Sequence, residues 1–216
     1  MSNIIIGTAG HIDHGKTALI RALNGFEGDS TNEEKQRGIT IDLSFSNLTR
    51  AERNIAFIDV PVHEKLIKNM IAGAFGFDYV MIVLSSAEGI RPQTVEQLEI
   101  INLLGLKEII VVISKKDLVI LEQLEEKKEQ LLMFLDTFDF EIKFIHEVSI
   151  YEKESIEKLK NSLFSINNSI KQEENFFRYY VDRVFSPKGI GTVVTGTILG
   201  KKIELNEKIF ICDSQM

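Results

Sequence analysis

The chain has 216 residues, of which 44% are hydrophobic, 26% charged and 8% aromatic, a composition typical of a globular protein with a substantial core. Its net charge of −7 excludes a broad basic surface that binds the phosphates of nucleic acids, so any nucleic-acid contact must be local and depend on shape. A single cysteine, Cys212, excludes an internal disulfide framework. No segment approaches membrane-spanning length and the N-terminus lacks the basic region of an export signal, so we expect a cytoplasmic chain without a membrane partner.

In chain order, short apolar runs alternate with longer amphipathic ones, which predicts a doubly wound α/β layer. The predicted buried strands are NIIIGTA, NIAFIDV, DYVMIVLS, EIIVVIS and KFIHEV, whereas TIDLSFSNL alternates apolar and polar residues and predicts an edge strand. Helices are predicted over Thr17 to Asn24, Glu64 to Phe75, Gln93 to Leu104, Leu121 to Phe138 and Ser155 to Ser169.

The polar stretch NNSIKQEEN indicates a linker, after which the character of the sequence changes. The β-branched runs FRYYVDRVF, GTVVTGTIL and KIFIC follow, separated by SPKGIG and GKKIELNE, and they predict antiparallel β structure. We therefore expect a first domain over residues 1–172 and a second over residues 173–216. About three strands are too few to close a barrel, so the second domain is expected to be a truncated β-barrel.

The segment GHIDHGKT matches the phosphate-binding pattern G-x-x-x-x-G-K-[ST], and it lies directly between a predicted strand and a predicted helix. Glycines let backbone N–H groups curl around phosphate oxygens, Lys16 neutralises the β and γ phosphates, and the Thr17 hydroxyl is placed to ligate Mg²⁺. The predicted nucleotide-binding residues of this loop are Gly10, His11, Ile12, Asp13, His14, Gly15, Lys16 and Thr17.

The same loop has an alternative interpretation as a zinc site, because the H-x-x-H spacing can bind zinc. Its ligands would be His11, Asp13 and His14. We favour phosphate binding, on the argument that a loop wound around phosphates cannot also converge its side chains on one ion.

Ser114-Lys115-Lys116-Asp117 stands at the end of the fifth predicted strand, where GTPases carry N-K-x-D. The Asp117 carboxylate can accept two hydrogen bonds from the N1–H and N2–H₂ edge of guanine. Adenine has no such donor pair, so these residues predict a preference for GTP. Ser114 replaces the commoner asparagine, which weakens the tie to the phosphate loop more than it affects base choice. After the sixth strand, Ser149 and Ile150 occupy the place of the loop whose backbone contacts the guanine oxygen.

Between these motifs the run EEKQRGITID resembles the first switch of translational GTPases. Together with GTAGHIDHGKTALIRALNG before it, IDLSFSNL after it and the hairpin sequence FRYYVDRVFSPKGIGTVVTGTILG, it most resembles the selenocysteine-specific elongation factors. The resemblance implies a Mg²⁺-dependent GTPase that binds GTP and GDP and delivers selenocysteinyl-tRNA to the ribosome. In that family an mRNA hairpin is bound by C-terminal domains that are absent from this sequence.

The resemblance also assigns roles to particular residues. Thr40 would complete the Mg²⁺ shell and contact the γ-phosphate, and Asp59 would hold Mg²⁺ through water. His63 would orient the attacking water, so Lys16, Thr40 and His63 are the predicted catalytic residues. In the second domain, Asp182 and Arg183 lie on the strand that lines the aminoacyl pocket of the tRNA in this family.

One position departs from the family. The second switch, D-x-x-G, here reads Asp59-Val60-Pro61-Val62, so a stiff β-branched valine stands where a glycine N–H contacts the γ-phosphate and turns over after hydrolysis. We therefore predict impaired sensing of the γ-phosphate. Two alternatives stay open: another tRNA-carrying translational GTPase, and a degenerate guanine-nucleotide-binding module with impaired hydrolysis.

Overall fold

The computed structural model describes residues 2–25, 44–59, 77–166 and 177–211. The chain divides into two compact units, Met1–Ser169 and Ile170–Met216. The predicted helix at 64–75 and the predicted site residues Thr40, Val62 and His63 lie outside the described residues. Within the described ranges, no helix is long and apolar enough to cross a membrane.

The first unit is built on one six-stranded sheet. Its strands are β1 (Ser2–Ala9), β2 (Ser44–Arg50), β3 (Arg53–Asp59), β4 (Tyr79–Ser85), β5 (Glu108–Ser114) and β6 (Glu141–Glu147). The strand order is β2-β3-β1-β4-β5-β6, and every pairing is parallel except that of β2 with β3. Five parallel strands therefore end at one edge of the sheet, which is where α/β proteins bind ligands.

Four α-helices are described in this unit: α1 (Lys16–Asn24), α2 (Pro92–Leu103), α3 (Leu121–Leu135) and α4 (Lys153–Ser165). Buried side chains of α1 and α4 pack on one face of the sheet, with Leu19 and Leu159 fully buried. Buried side chains of α2 and α3 pack on the other face, with Leu98 fully buried. The predicted doubly wound α/β fold is therefore confirmed.

The strand predictions agree with the sheet, with one correction. β2 is an edge strand as expected, and its side chains alternate, with Phe45 exposed and Ser46 and Leu48 buried. The prediction that KFIHEV is covered on both faces is wrong, because every residue from Ile142 to Glu147 is only half-buried. Since β6 is the opposite edge of the described sheet, it has β5 on one side only.

The second unit contains an antiparallel pair, β7 (Arg178–Phe185) and β8 (Val193–Leu199). Its register shifts between Val181 and Arg183. The strand predicted at KIFIC is wrong for its described part, because residues 208–211 adopt no strand and Phe210 is 93% exposed. A β-branched run forms a strand only where a neighbour accepts its backbone hydrogen bonds, and among the described residues β7 and β8 pair only with each other.

Candidate nucleotide-binding site

The loop between β1 and α1 has the backbone geometry of a phosphate cradle. Gly10 has φ 134°, Asp13 has φ 67° and Gly15 has φ 83°, all in the region that favours glycine. A β-carbon at Gly10 would lie 2.1 Å from the Val83 carbonyl oxygen, so only glycine fits there. The Gly10 N–H donates to Gln97 Oε1 at 2.7 Å, which fixes the start of the loop against α2.

Lys16 is buried at the start of α1, with 6% of the residue exposed. Its Nζ donates to the carbonyl oxygens of Gly10 and His11, each at 2.9 Å. Burial lowers the pKa of Lys16 from 10.5 to about 8, although Asp59 and Asp13 oppose that change. The ammonium group is thus held inside the loop at a cost in hydration that phosphate oxygens would offset.

Thr17 and Asp59 are the two described residues expected to hold Mg²⁺, Thr17 directly and Asp59 through water. The Thr17 hydroxyl donates to Asp59 Oδ2 at 2.8 Å, and Thr8 donates to Asp59 Oδ1 at 2.5 Å. Because its proton is used by Asp59, the Thr17 hydroxyl keeps its lone pairs for a cation, and the buried carboxylate supplies negative charge beside it. Hard oxygen donors of this kind fit Mg²⁺.

The predicted base-recognition residues begin at the end of β5. Ser114 Oγ donates to the His14 carbonyl oxygen at 2.6 Å and lies 3.1 Å from the Leu84 carbonyl oxygen. The loop therefore bonds directly to the phosphate loop through a serine hydroxyl. Lys115 follows with φ 58°, and its carbonyl oxygen accepts a bond from Ser86 Oγ at 2.8 Å.

Asp117 lies in the short 3₁₀ helix Lys116–Leu118 and is exposed. The Lys116 N–H donates to the Val148 carbonyl oxygen at 3.2 Å, so the loops that follow β5 and β6 are joined. Ser149 is buried and Ile150 is 43% exposed. The Ser149 N–H donates to Ser155 Oγ at 3.2 Å, which anchors this turn to α4.

These contacts bring most of the predicted site together in one place. The phosphate loop, Asp59, Ser114 and the Ser149 loop all lie at the carboxyl ends of parallel strands and are connected by hydrogen bonds. Asp182 and Arg183 belong to β7 in the second unit.

Sequence reasoning missed four polar residues that hold the site: Thr8, Ser86, Gln97 and Ser155. For Gln97 a signal was available. Thr94, Gln97, Leu98 and Ile101 have helical spacing and form the buried stripe of α2, so a glutamine in that stripe indicates a buried hydrogen-bond partner.

The expectation that the side chains of the phosphate loop cannot converge on one ion is wrong. The rings of His11 and His14 do approach one another, with centroids 5.2 Å apart, so a phosphate loop can converge side chains. Among the described residues the third member of that cluster is Glu88, and Asp13 is not part of it.

The fold and this edge of the sheet define a P-loop GTPase domain. The sequence profile described as the elongation factor Tu GTP binding domain matches residues 1–169. The chain therefore belongs to that family of translational GTP-binding domains.

Comparison with individual proteins gives the subfamily that the chain resembles. It is 44% identical to the selenocysteine-specific elongation factor of Desulfomicrobium baculatum over 98% of this chain and 34% of that protein. It is 35% identical to the apicoplast elongation factor Tu of Plasmodium falciparum over 97% of this chain and 60% of that protein. The chain thus spans about a third of the length of the selenocysteine-specific relative.

Solved structures agree with these similarities. A crystal structure of a bacterial selenocysteine-specific elongation factor, EF-Sec, matches with a TM-score of 0.81 and 40% identity over 93% of this chain and 35% of that one. Elongation factor SelB of Methanococcus maripaludis, in complex with the GTP analogue GppNHp, matches with a TM-score of 0.77 and 31% identity over 93% of this chain and 42% of that one. The resemblance to selenocysteine-specific factors is therefore confirmed.

Ser114→Ala is expected to weaken GDP binding about five- to thirtyfold, because the buried His14 carbonyl would lose a hydrogen bond of about 1 to 2 kcal/mol. Ser85→Ala is the matched control. Ser85 is the register partner of Ser114 on β4, and its buried hydroxyl has no hydrogen-bond partner among the described residues. Titration with a fluorescent GDP should show less than about a twofold change for the control. Equal effects of both variants would contradict the role of Ser114.

GDP binding is expected to take up a proton in mildly alkaline solution. With a pKa of about 8, Lys16 is about 10% neutral at pH 7 and about 75% neutral at pH 8.5. Nearby phosphates raise the lysine pKa, so binding reprotonates the neutral fraction, and GDP affinity falls as pH rises through 8.

Calorimetry in Mg²⁺-free buffers of different ionisation enthalpy measures that uptake. It should grow between pH 7 and pH 8.5 in the native chain and stay flat in Lys16→Arg, whose side chain remains charged. Constant uptake in the native chain would contradict the prediction.

Proposed function

We propose that this chain is the GTP-binding and GTP-hydrolysing module of a selenocysteine-specific elongation factor, which delivers selenocysteinyl-tRNA to the ribosome in the cytoplasm. The observation that carries the proposal is the hydrogen-bonded junction of the phosphate loop with the base-recognition loop, Ser114 Oγ to the His14 carbonyl oxygen. The similarity to selenocysteine-specific factors over 98% of the chain supports the choice of subfamily.

Each part of the site has a proposed task. Backbone N–H groups of residues 10–17 hold the phosphates of GTP, and the Lys16 ammonium balances the charge that develops during phosphoryl transfer. The Asp117 carboxylate accepts the N1–H and N2–H₂ donors of guanine, and the Ser149 and Ile150 turn contributes backbone contacts to the base.

Thr17 would hold Mg²⁺ directly and Asp59 would hold it through water, and the ion would neutralise charge on the phosphates. Thr40 completes that set and His63 orients the attacking water, roles that rest on the family resemblance. Hydrolysis needs positioning and charge neutralisation more than covalent help from the protein, and each of these side chains is assigned one of those two tasks.

The tRNA would be engaged through the second unit. A selenol is largely ionised at neutral pH, so a cation at Arg183 beside Asp182 would favour selenocysteine over serine in the aminoacyl pocket.

A general tRNA-carrying factor is the second candidate, and the 35% identity to an elongation factor Tu supports it. The run IDLSF and the hairpin sequence that contains β7 and β8 favour the selenocysteine subfamily. A guanine-nucleotide-binding module with reduced hydrolysis is the third, because Val62 stands in place of the switch glycine.

Guanine specificity tests the proposal. The chain should bind GDP and GTP far better than ATP, and Asp117→Asn should move its preference toward xanthine nucleotides, whose C2 carbonyl pairs with an amide. Asp136→Asn, an equally conservative change at the exposed end of α3, is the control and should keep guanine preference. Equal affinity for ATP and GTP in equilibrium titration would exclude the proposed function.

Replacing Val62 with glycine is expected to raise affinity for GppNHp relative to GDP, because the peptide could then turn toward the γ-phosphate. GDP affinity should stay within about threefold, since the phosphate loop and Asp117 are unchanged. Val60→Gly loosens the same segment without touching the switch position and serves as the control. If native and Val62→Gly chains show the same ratio of the two affinities, the valine is compatible with both nucleotide states.

A further inference from the structure

Three side chains that could ligate a metal form a cluster at the phosphate loop, and none of these side chains has a task in the proposed GTPase chemistry. His11, His14 and Glu88 each offer one ligand atom, and these atoms all lie within 4.8 Å of one another. His14 Nε2 and Glu88 Oε2 are 3.9 Å apart. The backbone of the two histidines belongs to the phosphate loop, but their imidazole rings meet a glutamate that follows β4.

The hydrogen bonds of both histidines leave a ring nitrogen available for a metal. His14 Nδ1 lies 3.3 Å from the Val83 carbonyl oxygen, and His11 Nδ1 contacts the Ile12 carbonyl oxygen. A carbonyl can only accept, so each Nδ1 carries the proton and each Nε2 carries a lone pair. Metal-ligating histidines commonly have this arrangement, in which the nitrogen remote from the ion donates to a backbone carbonyl.

His14 Nε2 is the second sign of an ion at this place. His14 is fully buried, and its Nε2 has no hydrogen-bond partner among the described residues. Burial lowers the pKa of His14 to about 4, so the ring is neutral at physiological pH, the form that binds metals. A buried lone pair without a partner is costly, and a cation would satisfy it.

Glu88 is not committed to another strong contact in the described structure. Its carboxylate lies 3.5 Å from Arg91 and 3.8 Å from Lys115, both longer than a charge-assisted hydrogen bond of about 2.8 Å. About a quarter of the Glu88 side chain is exposed, so it can move and leaves room for a water ligand. Ligand atoms around tetrahedral Zn²⁺ are about 3.3 Å apart, so the separations within the cluster need to shorten by up to about 1.5 Å.

We propose that His11, His14 and Glu88 form a Zn²⁺ site, with two imidazole nitrogens, one carboxylate oxygen and a water as ligands. Two neutral imidazoles with one carboxylate and an open position are a ligand set that zinc takes in proteins. A bound ion would connect the start of the phosphate loop to the loop that follows β4. Ser86 and Glu88 of the second loop also contact Lys115.

Metal binding tests the site directly. The 216-residue chain is prepared with Cys212→Ser, which removes its single thiol as a rival ligand, and is freed of metal and nucleotide with a chelator. Co²⁺ serves as the spectroscopic probe and Zn²⁺ as the competitor. We expect one Co²⁺ per chain with visible absorption bands of four- or five-coordinate geometry, displaced by stoichiometric Zn²⁺.

Variants locate the ion. Glu88→Gln and His11→Gln should each weaken Zn²⁺ binding at least about tenfold, whereas Glu99→Gln, at an exposed position of α2, should change it less than about twofold. His14 is left intact because it is buried and its replacement could disturb folding. GDP titration of each variant separates metal binding from nucleotide binding. Absence of saturable one-to-one binding, or unchanged Zn²⁺ affinity in either Glu88→Gln or His11→Gln, would overturn the proposal.

Discussion

Parallel pairing of β1 with β3 and β4, and of β4 with β5, is the constraint on which the site depends. Parallel strands must all end at the same edge, so residues far apart in sequence leave the sheet side by side. Asp59 and Ser114 are brought to the phosphate loop in this way, although 42 and 100 positions separate them from their partners Thr17 and His14. Strand pairing in the correct register is therefore enough to bring these groups together.

The buried interior makes that register unambiguous. All seven residues of β4 are buried, and helices cover both faces of the sheet. A slip of one residue would reverse the direction of every side chain and move the terminal polar residues away from the loop. Polar ends on apolar strands, such as Ser85 and Ser114, are therefore held in place by the packing of residues that have no chemical role.

Most strands of the first unit, and the position of the glycine-rich loop between β1 and α1, could be predicted because both depend on local pattern. Apolar runs, the glycines at positions 10 and 15 and the lysine between loop and helix are readable without knowledge of distant partners. The half-buried state of β6 and the absence of a strand at residues 208–211 were not predictable in that way. Both depend on whether a neighbouring strand or helix covers the segment, which is a property of the tertiary structure. The expectation that the phosphate loop cannot converge its side chains was wrong, because His11 and His14 approach one another. A sequence motif specifies the backbone of the loop but does not specify the directions of these side chains.

The hydrogen bond from the Gly10 N–H to Gln97 Oε1 shows that the phosphate loop depends on a residue far from it in the sequence. The eight-residue motif is continuous in sequence, yet its first amide is buried and donates to a residue 87 positions along the chain. That residue belongs to α2, on the face of the sheet opposite to α1. A graft of this loop into another scaffold would leave the Gly10 N–H without a partner unless that scaffold has an acceptor where Gln97 stands here. Exchange of the loop alone would therefore leave a buried, unsatisfied amide at the first residue of the cradle in any recipient that lacks this acceptor.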